Sequence, residues 1–115
     1  MKKSNFARYP SLEDRSVLIT GGASGIGASL VEHFVEQKAK VAFLDIAEEQ
    51  SAALVDDLKS RYSNPPLFFR CDLTDIVELK NSIDNICNKI GPLSVLVNNA
   101  GNDDRHEFQD VTPSY

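Results

Sequence analysis

The sequence predicts an α/β fold in which four parallel strands alternate with helices. Short apolar runs recur along the chain, and stretches with apolar residues at helical spacing lie between them. Each run also leads into glycine, aspartate or asparagine, at the point where a strand would end. Strands that alternate with helices are joined by right-handed crossovers, which build a parallel sheet.

The predicted strands cover residues 16–20, 40–45, 67–72 and 93–97. Their order along the chain predicts a Rossmann-type doubly wound parallel sheet with the strand order 3-2-1-4. In such a sheet a cofactor lies across the carboxyl ends of the strands, at the switch between strands one and four. The motifs that carry chemistry are therefore expected at those ends.

Three helices are predicted between the strands, each with one apolar face. The first ends near Gln37, the second spans 48–61 with acids in its first turn, and the third ends before Gly91-Pro92. Ser63 to Pro66 break the second helix. Their apolar faces are formed by Ile26, Leu30, Val31, Phe34 and Val35; by Ala52, Val55 and Leu58; and by Ile76, Leu79, Ile83, Ile86 and Ile90.

The segment 20–27 joins the first strand to the first helix through a glycine turn. Gly21 can form the tight turn, Gly25 lets backbone N–H groups approach a pyrophosphate, and Gly27 lets the helix pack closely on the strand. Ile26 is expected to point its side chain into the fold. A plain strand-to-helix turn is the alternative. The candidate cofactor-binding residues of the turn are Gly21, Ser24, Gly25, Ile26 and Gly27.

Asp45 ends the second strand, eighteen positions after Gly27. That spacing is typical of a carboxylate that accepts hydrogen bonds from an adenosine ribose, although a strand-end or helix-capping acid is the alternative. A carboxylate there would repel the 2′-phosphate of NADP. No Lys or Arg occurs between Gly21 and Gln37, and Ile46-Ala47 follow Asp45. The sequence therefore predicts NAD as the cofactor.

The bulk properties exclude several classes of protein. The chain has 115 residues, 42% of them apolar, and a formal charge of −5 with scattered basic residues, which argues against a nucleic-acid partner. No apolar run is long enough for a membrane span or a secretory signal, so a cytoplasmic location is expected. Cys71 and Cys87 lack metal-ligand spacing and are expected to be buried reduced thiols, with no metal site.

Four motifs in this order resemble the short-chain dehydrogenase/reductase family, and the resemblance covers residues 12–115. They are the glycine run in 20–27, Asp45, Asp72-Leu73 after strand three, and Asn98-Asn99-Ala100-Gly101 after strand four. Four motifs at the right strand ends are far more specific than any one of them. The resemblance implies a nicotinamide-dependent oxidoreductase.

The resemblance also assigns roles to the later motifs. Asp72 would accept a hydrogen bond from the adenine amino group, while Leu73 would donate its backbone N–H. Asn98, Ala100 and Gly101 would border the ribose of the cofactor and the central sheet.

Local structure offers an alternative for each of these later motifs. Thr74 could cap the third helix, with Asp75 in its first turn, and the two asparagines at 98 and 99 could be turn residues.

The motifs around Asp45 and Asp72, and above all the segment 98–106, resemble a bacterial NAD-dependent branch of the family. Members of that branch oxidise the anomeric hydroxyl of an aldose such as D-xylose to a lactone. The polar run 102–106 suits a loop near a sugar or polyol, and it equally suits a solvated loop. A reductase for another polyol, a steroid or an acyl carrier substrate, and a non-catalytic NAD-binding module, are the alternatives.

The catalytic residues of the family have no counterpart in this sequence. The family uses a Ser, a Tyr with a Lys four residues later, and an Asn after strand four, whereas Ser114 and Tyr115 read as structural. We therefore expect residues 1–15 to form a polar lead-in and 16–115 to form the N-terminal part of a truncated NAD-binding domain. The chain alone is expected to be inactive, and the full-length protein is expected to be a homo-oligomer.

Overall fold

A computed structural model of the protein describes residues 10–23 and 25–99. After a short 3-10 helix, Pro10–Leu12, strands and helices alternate along the chain. The strands are β1 (Ser16–Thr20), β2 (Lys40–Asp45), β3 (Leu67–Arg70) and β4 (Val95–Asn98). The helices are α1 (Gly25–Glu36), α2 (Glu48–Arg61) and α3 (Ile76–Ile90).

The four strands form one parallel sheet in the order β3-β2-β1-β4. This confirms the predicted α/β fold class and strand order. The register aligns Thr20 at the end of β1 with Leu44 of β2 and with Asn98 of β4. The carboxyl ends of these three strands therefore meet at one edge of the sheet.

The core lies on both faces of the sheet. On one face Val17, Ile19 and Phe43 pack against α1 and α2. On the other face Leu18 and Leu44 pack against α3. Because β1 and β2 alternate between two covered faces, both strands are continuous apolar runs rather than an alternation of apolar and polar residues.

The bounds of two strands differ from the sequence prediction. β3 ends at Arg70 rather than residue 72, because its partner β2 ends at Asp45 and the last register pair is Asp45 with Arg70. β4 covers Val95–Asn98 rather than 93–97, because its register with β1 begins at Val17. Strand length is set here by the neighbouring strand, which the local sequence does not encode.

β4 has a neighbour on one side only among the described strands. Leu96 is 64% exposed, whereas its register partner Leu18 is 1% exposed. The difference arises because β1 is flanked on both sides, while β4 is an edge strand. In the described residues no helix is long and apolar enough to cross a membrane.

The two cysteines are free, as expected, but only one of them is buried. Cys71 lies in the core beneath α3, where burial raises the pKa of its thiol. Cys87 is half-buried, so the expectation of two buried thiols was wrong for this residue. It lies on α3 beside Ile86, whose side chain takes the fully buried position on that helix.

Ser51 of α2 is a source of instability that a single substitution can remove. Its side chain is fully buried, and its Oγ is the one buried side-chain polar atom without a hydrogen-bond partner among the described residues. We expect Ser51→Ala to raise the free energy of unfolding by about 1 kcal/mol, because an unpaired buried hydroxyl costs desolvation energy. Urea denaturation measures the change.

Ser60→Ala is the matched control, because it makes the same change on the exposed side of the same helix. The Ser60 hydroxyl donates to the carbonyl of Asp57 at 2.7 Å, so its loss brings no desolvation gain. A loss of stability in Ser51→Ala would contradict the assignment of an unpaired hydroxyl.

Candidate functional site

The candidate residues that the structure describes gather at the carboxyl edge of the sheet. Gly21 directly follows β1, Asp45 ends β2, and Asn98 ends β4. The backbone N–H of Gly21 donates to the carbonyl of Leu44 at 2.8 Å, which holds the glycine turn against β2. Ser24, Ala100 and Gly101, as well as the polar run 102–106, lie outside the described residues.

The glycine turn has the geometry expected of its glycines. Gly21 and Gly25 have φ angles of 70° and 61°, in the left-handed region that side chains rarely adopt. A Cβ atom on Gly25 would meet no atom of the described residues within 4 Å, so these residues leave the surface above Gly25 open. A Cβ atom on Gly27 would lie 1.8 Å from the carbonyl oxygen of Gly21, so α1 packs directly on the turn.

Ile26 does not point into the fold, and that expectation was wrong. Its side chain is 69% exposed, whereas Leu30 and Phe34, one and two turns further along α1, are half-buried. The reason is its place in the first turn of α1, beyond the end of β1, where no described element covers it. Ile26 is therefore an apolar side chain at the open edge beside the glycine turn.

Asp45 links the glycine turn to the start of α2. One carboxylate oxygen accepts a hydrogen bond from the N–H of Ala23 at 3.0 Å, and the other accepts from the N–H of Ala47 at 2.8 Å. A carboxylate has about four lone-pair positions, so two of them remain for a ligand. The structural role and the predicted ligand-binding role can therefore coexist in one half-buried side chain.

The end of β4 is tied to the same turn through Thr20 and Asn99, two motif residues to which the sequence analysis assigned no role in the site. The hydroxyl of Thr20 donates to Oδ1 of Asn98 at 2.8 Å and accepts from the N–H of Asn99 at 3.0 Å. Nδ2 of Asn99 donates to the carbonyl of Gly21 at 3.0 Å. The signal in the sequence was a Thr immediately before the glycines, and a second Asn after the fourth strand.

The side chain of Asp72 stabilises the turn that follows β3. Its Oδ1 accepts from the hydroxyl of Thr74 at 2.7 Å and from the N–H of Thr74 at 3.0 Å. These two hydrogen bonds, the hydroxyl first, hold the pKa of Asp72 below its usual value. Leu73 is half-buried and packs against the core beneath α3.

The alternative in which Thr74 caps α3 was wrong. The N-cap is Asp75, whose side chain accepts from the N–H of Glu78 at 3.1 Å. Thr74 is instead held inside the turn that Asp72 forms, so α3 begins one residue later than that alternative required.

A cation also lies at this edge, although the sequence around Asp45 contains none. Arg70 ends β3 in register with Asp45. Its guanidinium forms ion pairs with Glu78 at 3.1 Å and with Glu48 at 3.5 Å. The reasoning from neighbouring residues missed it because Arg70 is close to Asp45 through the sheet and distant along the chain.

The parallel sheet in the order 3-2-1-4, with a glycine turn at the switch between β1 and β4, defines a Rossmann-type fold. The model of the short chain dehydrogenase family matches residues 15–114. The chain belongs to that family.

Two curated relatives are sugar dehydrogenases by name. The chain is 50% identical over 109 residues to D-xylose 1-dehydrogenase of Caulobacter vibrioides, covering 95% of this chain and 42% of the relative. It is 45% identical over 106 residues to the probable galactose dehydrogenase of Rhizobium meliloti, covering 92% of this chain and 41% of the relative. The chain thus spans about two fifths of the length of these relatives.

Solved structures of the family share the fold. A 2-keto-3-deoxy-D-gluconate dehydrogenase from Streptococcus agalactiae has a TM-score of 0.72 and 30% identity, over 90% of this chain and 38% of that one. A hydroxysteroid dehydrogenase from Escherichia coli has a TM-score of 0.73 and 32% identity, over 78% of this chain and 38% of that one.

The contact between Gly27 and Gly21 predicts unequal costs for two glycine substitutions. Gly27→Ala should lower the free energy of unfolding by about 3 kcal/mol, because its methyl group would overlap the Gly21 carbonyl and approach Asn99. Gly25→Ala, the control, should cost only about 1 kcal/mol of backbone strain, because the space around it is open. Urea denaturation compares the variants, and equal losses would contradict the packing assigned to Gly27.

The turn at Asp72 predicts a change in titration. Thr74→Val removes the hydroxyl donor and should raise the pKa of Asp72 towards the usual Asp value, with the backbone N–H retaining part of the shift. Because the folded-state pKa is depressed, its contribution to stability is present above the unfolded pKa and is lost as pH falls through the folded pKa. Carboxyl carbon NMR measures the titration. Thr20→Val, which removes a threonine hydroxyl from β1, is the control. An unchanged Asp72 pKa in Thr74→Val would refute the assignment.

Proposed function

We propose that the protein is an NAD-dependent dehydrogenase that oxidises a hydroxyl group of a sugar, and that this chain carries its cofactor-binding part. The observation on which the proposal chiefly rests is the position of the Asp45 carboxylate. It is fixed by an N–H group of the glycine turn at the open edge of the sheet, with acceptor capacity to spare. In a Rossmann-type sheet that is where an adenosine ribose binds.

The residues present fit a dinucleotide in three respects. The part of the chain that the structure describes leaves the space above Gly25 open, which allows a diphosphate to approach the backbone N–H groups at the start of α1. Ile26 in the first turn of α1 and Ile46 directly after Asp45 are exposed apolar side chains, and a bound ligand would cover apolar surface there. Asp45 supplies the acceptors for ribose hydroxyls.

Each part of the dinucleotide is assigned to its own group of residues in the proposed site. The glycine turn binds the diphosphate through Gly21, Ser24, Gly25, Ile26 and Gly27. Asp45 orients the adenosine ribose, and Asp72 with Leu73 hydrogen-bonds the adenine. Asn98, Ala100 and Gly101 border the second ribose. A bound nicotinamide would supply the hydride acceptor that oxidation of a hydroxyl requires.

NAD is proposed over NADP because Asp45 is an acid at the position where NADP carries its extra phosphate. A carboxylate and a phosphate at hydrogen-bonding distance repel each other, and neither can be neutralised at neutral pH without a cost. Ionised Asp72, on the neighbouring strand connection, adds a second negative charge to the same region.

A sugar is favoured as the substrate because the curated relatives at 50% and 45% identity are named as sugar dehydrogenases. A steroid is the second candidate, supported by the solved hydroxysteroid dehydrogenase at 32% identity. The two sugar dehydrogenases match this chain at higher identity and over a larger share of its length than the hydroxysteroid dehydrogenase does, so a sugar is preferred.

The decisive test measures dinucleotide reduction by the native protein with D-xylose, D-galactose and a hydroxysteroid. We expect activity with an aldose and NAD, and Asp45→Asn should lower the preference for NAD over NADP by about tenfold or more, because it removes the repelling charge. Glu49→Gln, which neutralises an exposed acid in the first turn of α2, is the control and should leave the preference unchanged.

Two results would overturn the proposal separately. Activity only with the steroid would replace the substrate class and leave the cofactor assignment intact. An unchanged cofactor preference in Asp45→Asn would remove the role of Asp45.

A further inference from the structure

We infer that Arg70 is a second determinant of cofactor choice, and that Glu48 and Glu78 keep its guanidinium from binding a 2′-phosphate. This inference rests on the proposed function, because it concerns the adenosine end of the same site. The positive charge of Arg70 would favour NADP, and the two glutamates make that charge unavailable to a phosphate.

Arg70 is within reach of the adenosine end because of the sheet register. It pairs with Asp45 across β2 and β3, and neighbouring strands lie about 4.8 Å apart. Register partners in a parallel sheet project from the same face. A flexible arginine side chain that starts beside Asp45 can therefore turn towards a phosphate on the ribose that Asp45 would hold.

Two carboxylates hold the guanidinium instead. Nη1 of Arg70 lies 3.1 Å from Oε2 of Glu78, and Nε lies 3.5 Å from Oε2 of Glu48. These acids come from the first turns of α3 and α2, so Arg70 bridges the starts of both helices. We call these three residues the Arg70 cluster.

Glu78 is the anchored member of the Arg70 cluster. Its second oxygen accepts from the backbone N–H of Asp72 at 3.4 Å, and its own N–H donates to Asp75. Glu48 is the more exposed partner, because its side chain is 67% exposed against 32% for Glu78. A single exposed ion pair contributes little, but two acids on one guanidinium, one of them fixed to the backbone, restrict its position.

The charge balance of the Arg70 cluster disfavours a phosphate. One guanidinium and two carboxylates sum to a net charge of −1 at neutral pH, and a phosphate monoester brings about −1.5 to −2 more. Free of its acids, an arginine is well suited to a phosphate, because its planar group can donate two parallel hydrogen bonds. Loss of Asp45 alone should therefore give only a partial change of preference.

The test compares three variants of the native protein. They are Asp45→Asn, the triple variant Asp45→Asn/Glu48→Gln/Glu78→Gln, and that triple variant with Arg70→Gln added. The matched control combines Asp45→Asn with Glu49→Gln and Asp56→Asn, which removes two exposed acids of α2 outside the Arg70 cluster. Dissociation constants for NADH and NADPH are measured by nucleotide fluorescence.

A second pair of probes, 5′-AMP and adenosine 2′,5′-bisphosphate, reports on the adenosine end alone. All measurements use one low ionic strength, since salt screens exposed charges.

The triple variant should bind NADPH about tenfold more tightly than Asp45→Asn does, and adenosine 2′,5′-bisphosphate should follow the same trend. Adding Arg70→Gln should abolish the gain, and the control should show none. A gain that survives Arg70→Gln, or one that the control shares, would overturn the inference, because it would reflect net charge and not a released guanidinium.

The same binding measurements distinguish a folding defect, a failure of this inference and a failure of the proposed cofactor. Should Glu78→Gln weaken the fold, the double variant Asp45→Asn/Glu48→Gln retains the anchored acid and should still gain about threefold. No gain in either variant, with wild-type protein preferring NADH, would refute the role of the Arg70 cluster alone. Wild-type protein without a preference for NADH would refute the proposed cofactor, and this inference with it.

Discussion

The geometry of the candidate site depends on the contacts that the carbonyl group of Gly21 makes. This carbonyl directly follows β1, it accepts a hydrogen bond from Asn99 beyond β4, and it lies against Gly27 of α1. The N–H of the same residue donates to Leu44 of β2. One residue thus ties three strands and a helix together through its N–H and its carbonyl group, and a methyl group at position 27 would leave no room for that carbonyl.

Backbone donors and acidic side chains occupy different parts of this edge. The glycine turn presents open backbone at the start of α1, whereas Asp45, Asp72 and the Arg70 cluster concentrate negative charge around the ends of β2 and β3. A ligand with a diphosphate at one end and uncharged hydroxyls at the other matches that division. The acids serve the fold as well, since Asp45 and Asp75 both accept backbone N–H groups at the starts of helices.

Much of the fold could be predicted from local sequence, because apolar runs, helical spacing and glycine positions are properties of consecutive residues. The strand order, and the places of Gly21, Gly27 and Asp45, follow from them. Other features depend on contacts between distant segments. The end of β3 is set by β2, the exposure of Ile26 by the length of β1, and the position of Arg70 beside Asp45 by register across the sheet. No window of neighbouring residues contains that information.

The hydrogen bond from Asn99 to Gly21 joins residues 78 positions apart. Closing so long a loop costs conformational entropy before the contact is gained, so such pairings form slowly. During synthesis, the opening turn leaves the ribosome long before the strand that secures it. The hydrogen bond that secures Gly21 can therefore form only after translation has passed residue 99, and a shorter nascent chain lacks it.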